Sequence, residues 1–396
     1  MEESIKNTPE ENSTTDNSLP PVRSLRDLID RVTGRDLEIS QTKTDAGLAE
    51  VIPFPFLALV GQDEMKLALL LAMINPHMGG VLLIGPRGTG KTTSVRSLPD
   101  LLPHVPRSLC YYGCMPDDIE AGGMDAVCPV CAKKYGEETP ISTYDRVRLV
   151  ELPLNARLDD VVGGLNERAA TQGRIRLQRG ILAKADLNLL YVDEVNLLAD
   201  DVVDAILDAA AQGYYIVRRG AMSSTFTSRF VLLGSMNPEE GQLRPQIMDR
   251  FGLRVVVHGL ESVNQRLEAY RRSHNYASNP RTVESQYAYD TSLVRDEIQN
   301  ARDLLPEVKI PDDVAHLGLA LIKDMRVDSL RAEITLFEAA RAYAVADGRT
   351  EVVAQDIAAI GTMALRMRRS KFIEEYFSQR ENEETELRSM LQKHIT

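Results

Sequence analysis

The sequence predicts an α/β protein in which a phosphate-loop core with a parallel sheet is followed by an all-helical C-terminal domain. Three observations carry that expectation. The octapeptide Gly85-Pro86-Arg87-Gly88-Thr89-Gly90-Lys91-Thr92 directly follows the apolar run Val81-Leu82-Leu83-Ile84. From Pro53-Phe54-Pro55-Phe56 to about Leu260, short apolar runs alternate with helical patterns, the order of a βαβ protein. Beyond a polar stretch between Ser273 and Tyr289, periodic segments such as Ala315 to Met325 and Ile334 to Ala346 read as helices.

The chain has 396 residues, 43% of them hydrophobic, enough to bury a full core. No apolar run approaches the roughly 20 residues needed to span a bilayer, and the longest, around Leu67 to Ile74, is too short. The N-terminus is acidic and lacks the features of a signal or transit peptide, so a cytoplasmic location is expected. A formal net charge of −12 argues against a broad grip on nucleic acid. Composition divides the chain into a disordered acidic extension over 1–45, a nucleotide-binding core over 46–265 with a cysteine-containing insertion near 108–140, a linker over 266–294 and a helical domain over 295–396.

The octapeptide is a complete phosphate-binding loop. Its glycines let successive N–H groups turn toward phosphate oxygens, Lys91 reaches the β- and γ-phosphates, and the Thr92 hydroxyl ligates Mg²⁺; Thr93 follows at the start of the helix. A nucleoside triphosphate and Mg²⁺ are therefore the expected cofactors. Roughly 100 residues on, the buried-strand run Leu189-Leu190-Tyr191-Val192 ends in Asp193-Glu194. Asp193 is expected to hold Mg²⁺ and Glu194 to orient and activate the attacking water. A further run, Phe230 to Ser235, ends at Met236-Asn237-Pro238, where Asn237 either helps fix that water or simply starts a turn. Arg250 closes a short helical segment; it is read either as a guanidinium aimed at a neighbour's γ-phosphate or as an ion-pair partner of Asp249.

Taken in order, Gly85 to Thr92, Asp193-Glu194, Asn237 and Arg250 resemble the AAA+ ATPases, whose members work as rings with the active site at the subunit boundary. The stretches Phe56-Leu57-Ala58-Leu59-Val60-Gly61-Gln62, Tyr191 to Leu198, Gly234 to Gly241 with Leu243-Arg244-Pro245, and Asp249-Arg250-Phe251-Gly252 further resemble the magnesium chelatase I-subunit family. That resemblance implies an AAA+ core, a ring that is hexameric, and an ATPase acting with D-type and H-type subunits to insert Mg²⁺ into protoporphyrin IX. This is the committing step of chlorophyll and bacteriochlorophyll synthesis. It also assigns Asn237 to the sensor-1 role, Arg250 to an arginine finger in trans, and Arg331 to a sensor-2 arginine reaching the nucleotide in cis. Leu154 to Ala185 would be the helix-2 insert, and Ile216 to Ser223 a projecting hairpin. A cobalt and corrin chelatase motor, a nucleic-acid remodelling motor and an inactive D-type scaffold are the rival readings; intact Lys91, Glu194 and Arg250 count against the last.

All four cysteines of the chain lie between Cys110 and Cys131, as Cys110-x₃-Cys114 and Cys128-x₂-Cys131. Three readings stand: a tetrahedral Zn²⁺ site, a regulatory dithiol, or four thiols with no partner. The histidines are scattered without ligand spacing.

Overall fold

The computed structural model describes residues 52–110, 113–164, 179–220, 222–369 and 390–391. The expected extension over 1–45, part of the helix-2 insert and most of the charged segment from Lys371 lie outside the described residues.

The chain enters through helix α1 (Asp63–Ile74) and strand β1 (Val81–Ile84), whose carboxyl end delivers the phosphate loop and α2 (Lys91–Arg96). Strands β2 (Val105–Ser108) and β3 (Ser142–Asp145) pair antiparallel and bracket the insertion, which holds α3 (Pro116–Gly122) and α4 (Pro129–Gly136). Next come β4 (Leu149–Leu152), α5 (Leu158–Val162), α6 (Ile181–Lys184), β5 (Leu189–Val192) and α7 (Asp200–Gln212). The predicted hairpin is present as β6 (Tyr214–Arg219) and β7 (Met222–Thr227), in antiparallel register from Tyr214–Thr227 to Arg219–Met222. Strand β8 (Val231–Met236), α8 (Pro245–Arg250) and β9 (Leu253–Val256) complete the sheet.

Among the described residues the main sheet is five-stranded and parallel, in the order β4-β5-β8-β1-β9. The central strands are buried at every position because both faces of the sheet are covered, as parallel sheets require. Alternation along each strand divides the core in two. Val81, Leu83, Leu189, Tyr191, Leu233 and Val255 face one cluster, with α1 and the C-terminal helices. Leu82, Ile84, Leu190, Val192 and Leu232 face the other, with α7 and the hairpin.

The segment expected to be a linker over 266–294 is helical. It forms α9 (Val263–Ser278) and the first part of α10 (Pro280–Leu304), which meet at Asn279-Pro280, where proline takes a first-turn position and begins a new helix. Its polar composition concealed this because α9 buries none of its residues fully. It is tied down at points instead: Tyr276 meets Phe54 edge-on at 5.2 Å, and Arg272 donates to the Ala58 carbonyl at 3.1 Å.

Helices α11 (Asp312–Asp324), α12 (Leu330–Ala346) and α13 (Ala354–Leu365) follow. They form the helical C-terminal region and pack directly on the core, so that the described residues from 52 onward make one compact unit. The physical reason lies in α1, apolar on nearly every side: it is sandwiched between the sheet and α12, and one continuous cluster runs from Val81 and Leu83 to Leu336, Ala339 and Ile360.

Asp249, at the end of α8, locks this layer to the sheet. Arg368 donates to its Oδ1 at 2.7 Å and to the carbonyls of Phe251 and Gly252 at 3.2 and 3.0 Å. Arg254 stands 3.6 Å from the same carboxylate oxygen and donates to the Arg366 carbonyl at 2.8 Å. Both guanidinium groups are fully buried. Burial, then the like charge of Arg368, works against the charged form of Arg254, and Asp249 opposes both. Asp249→Ala is expected to lower the unfolding free energy by roughly 3 kcal/mol, because it leaves two buried cations without their carboxylate. Asp249→Asn, which keeps an acceptor for Arg368, should cost less; urea denaturation of the two variants checks the order.

Candidate nucleotide site

The strand order brings three carboxyl ends together. Strand β8 lies between β1 and β5, so the phosphate loop, Asn237 and the Asp193-Glu194 pair emerge side by side at one edge of the sheet, where open α/β sheets hold ligands.

Gly88 and Gly90 adopt φ of 78° and 89°, a region closed to most side chains, and a Cβ at either would meet nothing within 4 Å. The loop thus curls around open space. Lys91, only 9% exposed, donates to the carbonyls of Gly85 and Pro86, both at 2.7 Å. Burial lowers its pKa, while Asp193, Glu194 and Glu240 oppose that shift.

Thr92 and Asp193 face one another across the site, with Oγ1 3.5 Å from Oδ2. Two residues not singled out from the sequence hold Asp193. Tyr191 donates its hydroxyl to Oδ1 at 2.8 Å and stands 3.2 Å from Thr92 Oγ1; Ser235 also donates to Oδ1. The Ser235 hydroxyl in addition accepts from the Glu194 backbone N–H at 3.1 Å. Burial first raises the Tyr191 pKa, so it stays a protonated donor. The available signal was a hydroxyl inside an otherwise apolar strand, in both Leu189-Leu190-Tyr191-Val192 and Val231-Leu232-Leu233-Gly234-Ser235-Met236. Buried hydroxyls need partners, and here the partner is the carboxylate.

Glu194 sits in the left-handed region, φ 52°, uncommon for glutamate. Its side chain meets Arg87 at 3.2 Å, and Arg87 also pairs with Glu240 at 2.6 Å although the arginine is 72% exposed. Glu240 was a third residue that the sequence did not mark. Asn237, 4% exposed, starts a turn and lies beside the carboxylates. Its Oδ1 accepts from Glu239 N–H at 3.3 Å as a turn-starting asparagine does, and its amide donates to Glu240 Oε1 at 3.2 Å. Gly85, Pro86, Arg87, Gly88, Thr89, Gly90, Lys91, Thr92 and Thr93 therefore lie at one edge with Asp193, Glu194 and Asn237.

Arg250 and Arg331 do not. Arg250 directly precedes β9, which runs parallel to β1, and Gly252 N–H bonds to Gly79 O just before β1. Both therefore belong to the amino ends of the strands, a strand length of about 13 Å or more from the phosphate loop. Arg250 is not paired with Asp249 as the bland reading had it; its partners are Asp208 at 2.9 Å and Asp204 at 3.5 Å on α7. Arg331 lies 3.9 Å from Asp249, is 52% exposed, and shares with Arg250 the lining of a cavity of about 920 Å³. The cis reach implied for Arg331 is thus corrected. The packing of α12 against α1 and the turn before β1 brings the start of that helix to the far edge of the sheet.

In the insertion, the four cysteine sulfurs lie within 4.8 Å of one another, with Cys114 and Cys131 buried and Cys110 and Cys128 half-buried. Burial pushes the Cys114 thiol up to about 11 and that of Cys131 up as well. In the hairpin, Arg219 pairs with Asp159 of α5 and donates to the Gly163 carbonyl.

A phosphate loop, a carboxylate pair on the neighbouring-but-one strand and a polar residue on the strand between define a P-loop ATPase. The comparisons narrow the class. Residues 56–110 match the family model for magnesium chelatase, subunit ChlI, and residues 320–390 match the AAA lid domain. The chain is 41% identical over 323 residues to a magnesium-chelatase subunit ChlI homolog of Methanocaldococcus jannaschii, covering 81% of this chain and 87% of that one. It is 40% identical over 336 residues to the magnesium-chelatase subunit ChlI of a Nostoc species, covering 84% and 88%. A solved structure from Cytophaga hutchinsonii, 21% identical, shares the fold with a TM-score of 0.51 over 84% of this chain and 90% of that one. The chain belongs to the magnesium-chelatase subunit ChlI family of ATP-driven enzyme subunits. Among the described residues no helix is long and apolar enough to cross a membrane.

Ser235→Ala removes one hydroxyl from Asp193, a bond to a charged group of the kind worth about 1.5–3 kcal/mol. The variant is expected to need roughly tenfold more Mg²⁺ for half-maximal ATP hydrolysis, which a Mg²⁺ titration of ATPase rate measures. An unshifted titration would mean that the hydroxyl does not support the metal ligand.

Proposed function

We propose that this chain is the ATP-hydrolysing motor of a magnesium chelatase, working in a homo-oligomeric AAA+ ring of six in the cytoplasm with D-type and H-type subunits. ATP hydrolysis would drive Mg²⁺ into protoporphyrin IX on the route to chlorophyll or bacteriochlorophyll. The residues fit MgATP: Lys91 and the loop amides would hold the phosphates, with Thr92 and Asp193 as Mg²⁺ ligands. Mg²⁺, when bound, would supply neutralisation of the phosphate charge. Glu194 would take a proton from the attacking water and Asn237 would help to orient it. Arg87, bridging Glu194 and Glu240, would have to give up part of that ion pair for Glu194 to face the water.

The observation that carries the reading is the separation of the site into two edges. Phosphate loop and carboxylates occupy one end of the sheet, Arg250 and Arg331 the other. Neither arginine lies beside its own chain's phosphate loop, which supports a reading in which each protomer would offer two arginines to its neighbour's nucleotide to stabilise charge in the transition state. The shared cavity next to these arginines, open at the subunit's edge, supports assembly through this face.

Glu194→Gln is expected to bind ATP and assemble but to hydrolyse it at least about 10²-fold more slowly, as loss of a positioned base implies. Arg250→Ala should be equally slow alone. Mixing the two variants should restore part of the rate, because some interfaces then combine an intact Arg250 with an intact Glu194. Absence of rescue at every ratio would remove the trans assignment. Insertion itself is read from porphyrin fluorescence in a mixture of this chain, D- and H-type subunits, ATP, Mg²⁺ and protoporphyrin IX. Healthy ATPase activity without insertion would redirect the search to other metals and tetrapyrroles.

A further inference from the structure

We propose that the insertion between β2 and β3 is a zinc-stapled lobe in which Cys110, Cys114, Cys128 and Cys131 bind one structural Zn²⁺ as a tetrathiolate. The proposal depends on none of the nucleotide chemistry above.

The spacing of the sulfurs fits a closed tetrahedral site. Four sulfurs within 4.8 Å of one another are close enough for one ion to bind all of them. With Zn–S bonds of about 2.3 Å, the edges of such a tetrahedron are about 3.8 Å. Cys110 and Cys128 Sγ stand 3.5 Å apart, close to that edge and well beyond the roughly 2.05 Å of a disulfide. The sulfurs come from two turns of different design. Cys128 precedes Pro129 at the start of α4, so that Cys131 falls one turn on, on the same side, and the Cys128 N–H points at Cys114 Sγ at 3.4 Å. In the other turn Gly113 takes a φ of 72° and bonds through its N–H to the Cys110 carbonyl at 3.0 Å. Ser108 fastens both ends of that turn, accepting from Cys110 N–H at 3.1 Å and donating to the Cys114 carbonyl at 2.8 Å. Such outer hydrogen bonds orient metal ligands.

The lobe also needs a staple. Its buried core is Cys114, Ile119, Val127, Cys131 and Ile141, two of which are themselves the proposed ligands. Its helices have 7 and 8 residues, below the length at which a helix persists unaided. Leu109, Met124 and Val130 point outward, so little apolar area remains to hold the fold. The donor set has no carboxylate or imidazole, which excludes Mg²⁺ and Ca²⁺ and selects a thiophilic ion of tetrahedral habit. Binding balances as one Zn²⁺ plus four thiols giving the dianionic tetrathiolate and four protons, with no change of oxidation state.

The full chain, purified in reductant without added metal, is expected to contain about one zinc per protein by elemental analysis, falling below about 0.1 in Cys131→Ser and in Cys110→Ser. Exchange with Co²⁺ should give the sulfur-to-metal charge-transfer band and the visible d–d bands of a tetrahedral thiolate site. Chelator treatment of the unmodified protein, which needs no variant to fold, should expose all four thiols to a thiol reagent and open the 108–142 segment to protease. ATP hydrolysis by the Cys110→Ser protein should stay within about twofold, since the lobe lies off the phosphate site. Zinc below about 0.1 per chain without cobalt bands, bound iron in place of zinc, a mass loss showing a disulfide, or thiols that react at once with no chelator present would each overturn the proposal.

Discussion

One carboxylate ties the molecule together. Asp249 closes α8, and two fully buried arginines converge on it, Arg368 from beyond α13 and Arg254 from within β9. Arg331 and Ser329, at the start of α12, approach its other side, with Ser329 Oγ 3.3 Å from Oδ2. Without that negative charge the sheet and the helical layer would bury like charges against each other. With it, the helical layer is held in one orientation, which also decides where Arg331 and the adjacent Arg250 are presented. Buried ion pairs are weak sources of net stability but strong selectors of geometry when their partners come from distant segments. Here the pairing spans more than a hundred residues of chain, from Asp249 to Arg368.

The catalytic edge depends on a second network, built from hydroxyls. Tyr191 and Ser235 reach Asp193 from adjacent parallel strands, and Ser235 also holds the Glu194 backbone. The register of β5 with β8 makes this possible, since it pairs Val192 with Gly234 and so sets Asp193 beside Ser235. The absence of a side chain at Gly234 matters as well: a Cβ there would come within 2.9 Å of the Phe251 ring, the residue after Arg250. The sheet interior thus packs directly between the carboxylate edge and the arginine edge.

The two edges belong to different levels of organisation. The phosphate loop and its carboxylates stand together at one edge of the sheet, whereas Arg250 and Arg331 line a cavity at the other, the surface that the proposed assembly would set against the next subunit. Arg250 is kept extended by Asp204 and Asp208 of α7, both well exposed, so its charge is steadied without being buried. Ion pairs of that exposed kind contribute little stability and are readily exchanged for a phosphate.

By itself the sequence determined the elements whose chemistry is local. The phosphate loop, the strand ending in Asp193-Glu194, the asparagine after β8, the hairpin and the clustering of the cysteines each announce themselves within a few residues, because tight turns and buried strands restrict which residues can stand in consecutive positions. The resemblance to the chelatase family rested on the same short stretches. The tertiary structure decided whatever depends on packing between distant segments. The helices over 266–294 were hidden by a polar composition, since they are stabilised by scattered contacts such as Tyr276 on Phe54 rather than by an apolar stripe. The helical region merged with the core because α1 is buried on both sides. Arg331 could be chosen from among the basic residues of its helix only by resemblance, and its side of the sheet only by the fold. Tyr191 and Ser235 read as strand residues until the register placed their hydroxyls on one carboxylate. Periodicity and turn chemistry are written along the chain, but the pairing of a charge with its partner is a property of the folded arrangement alone.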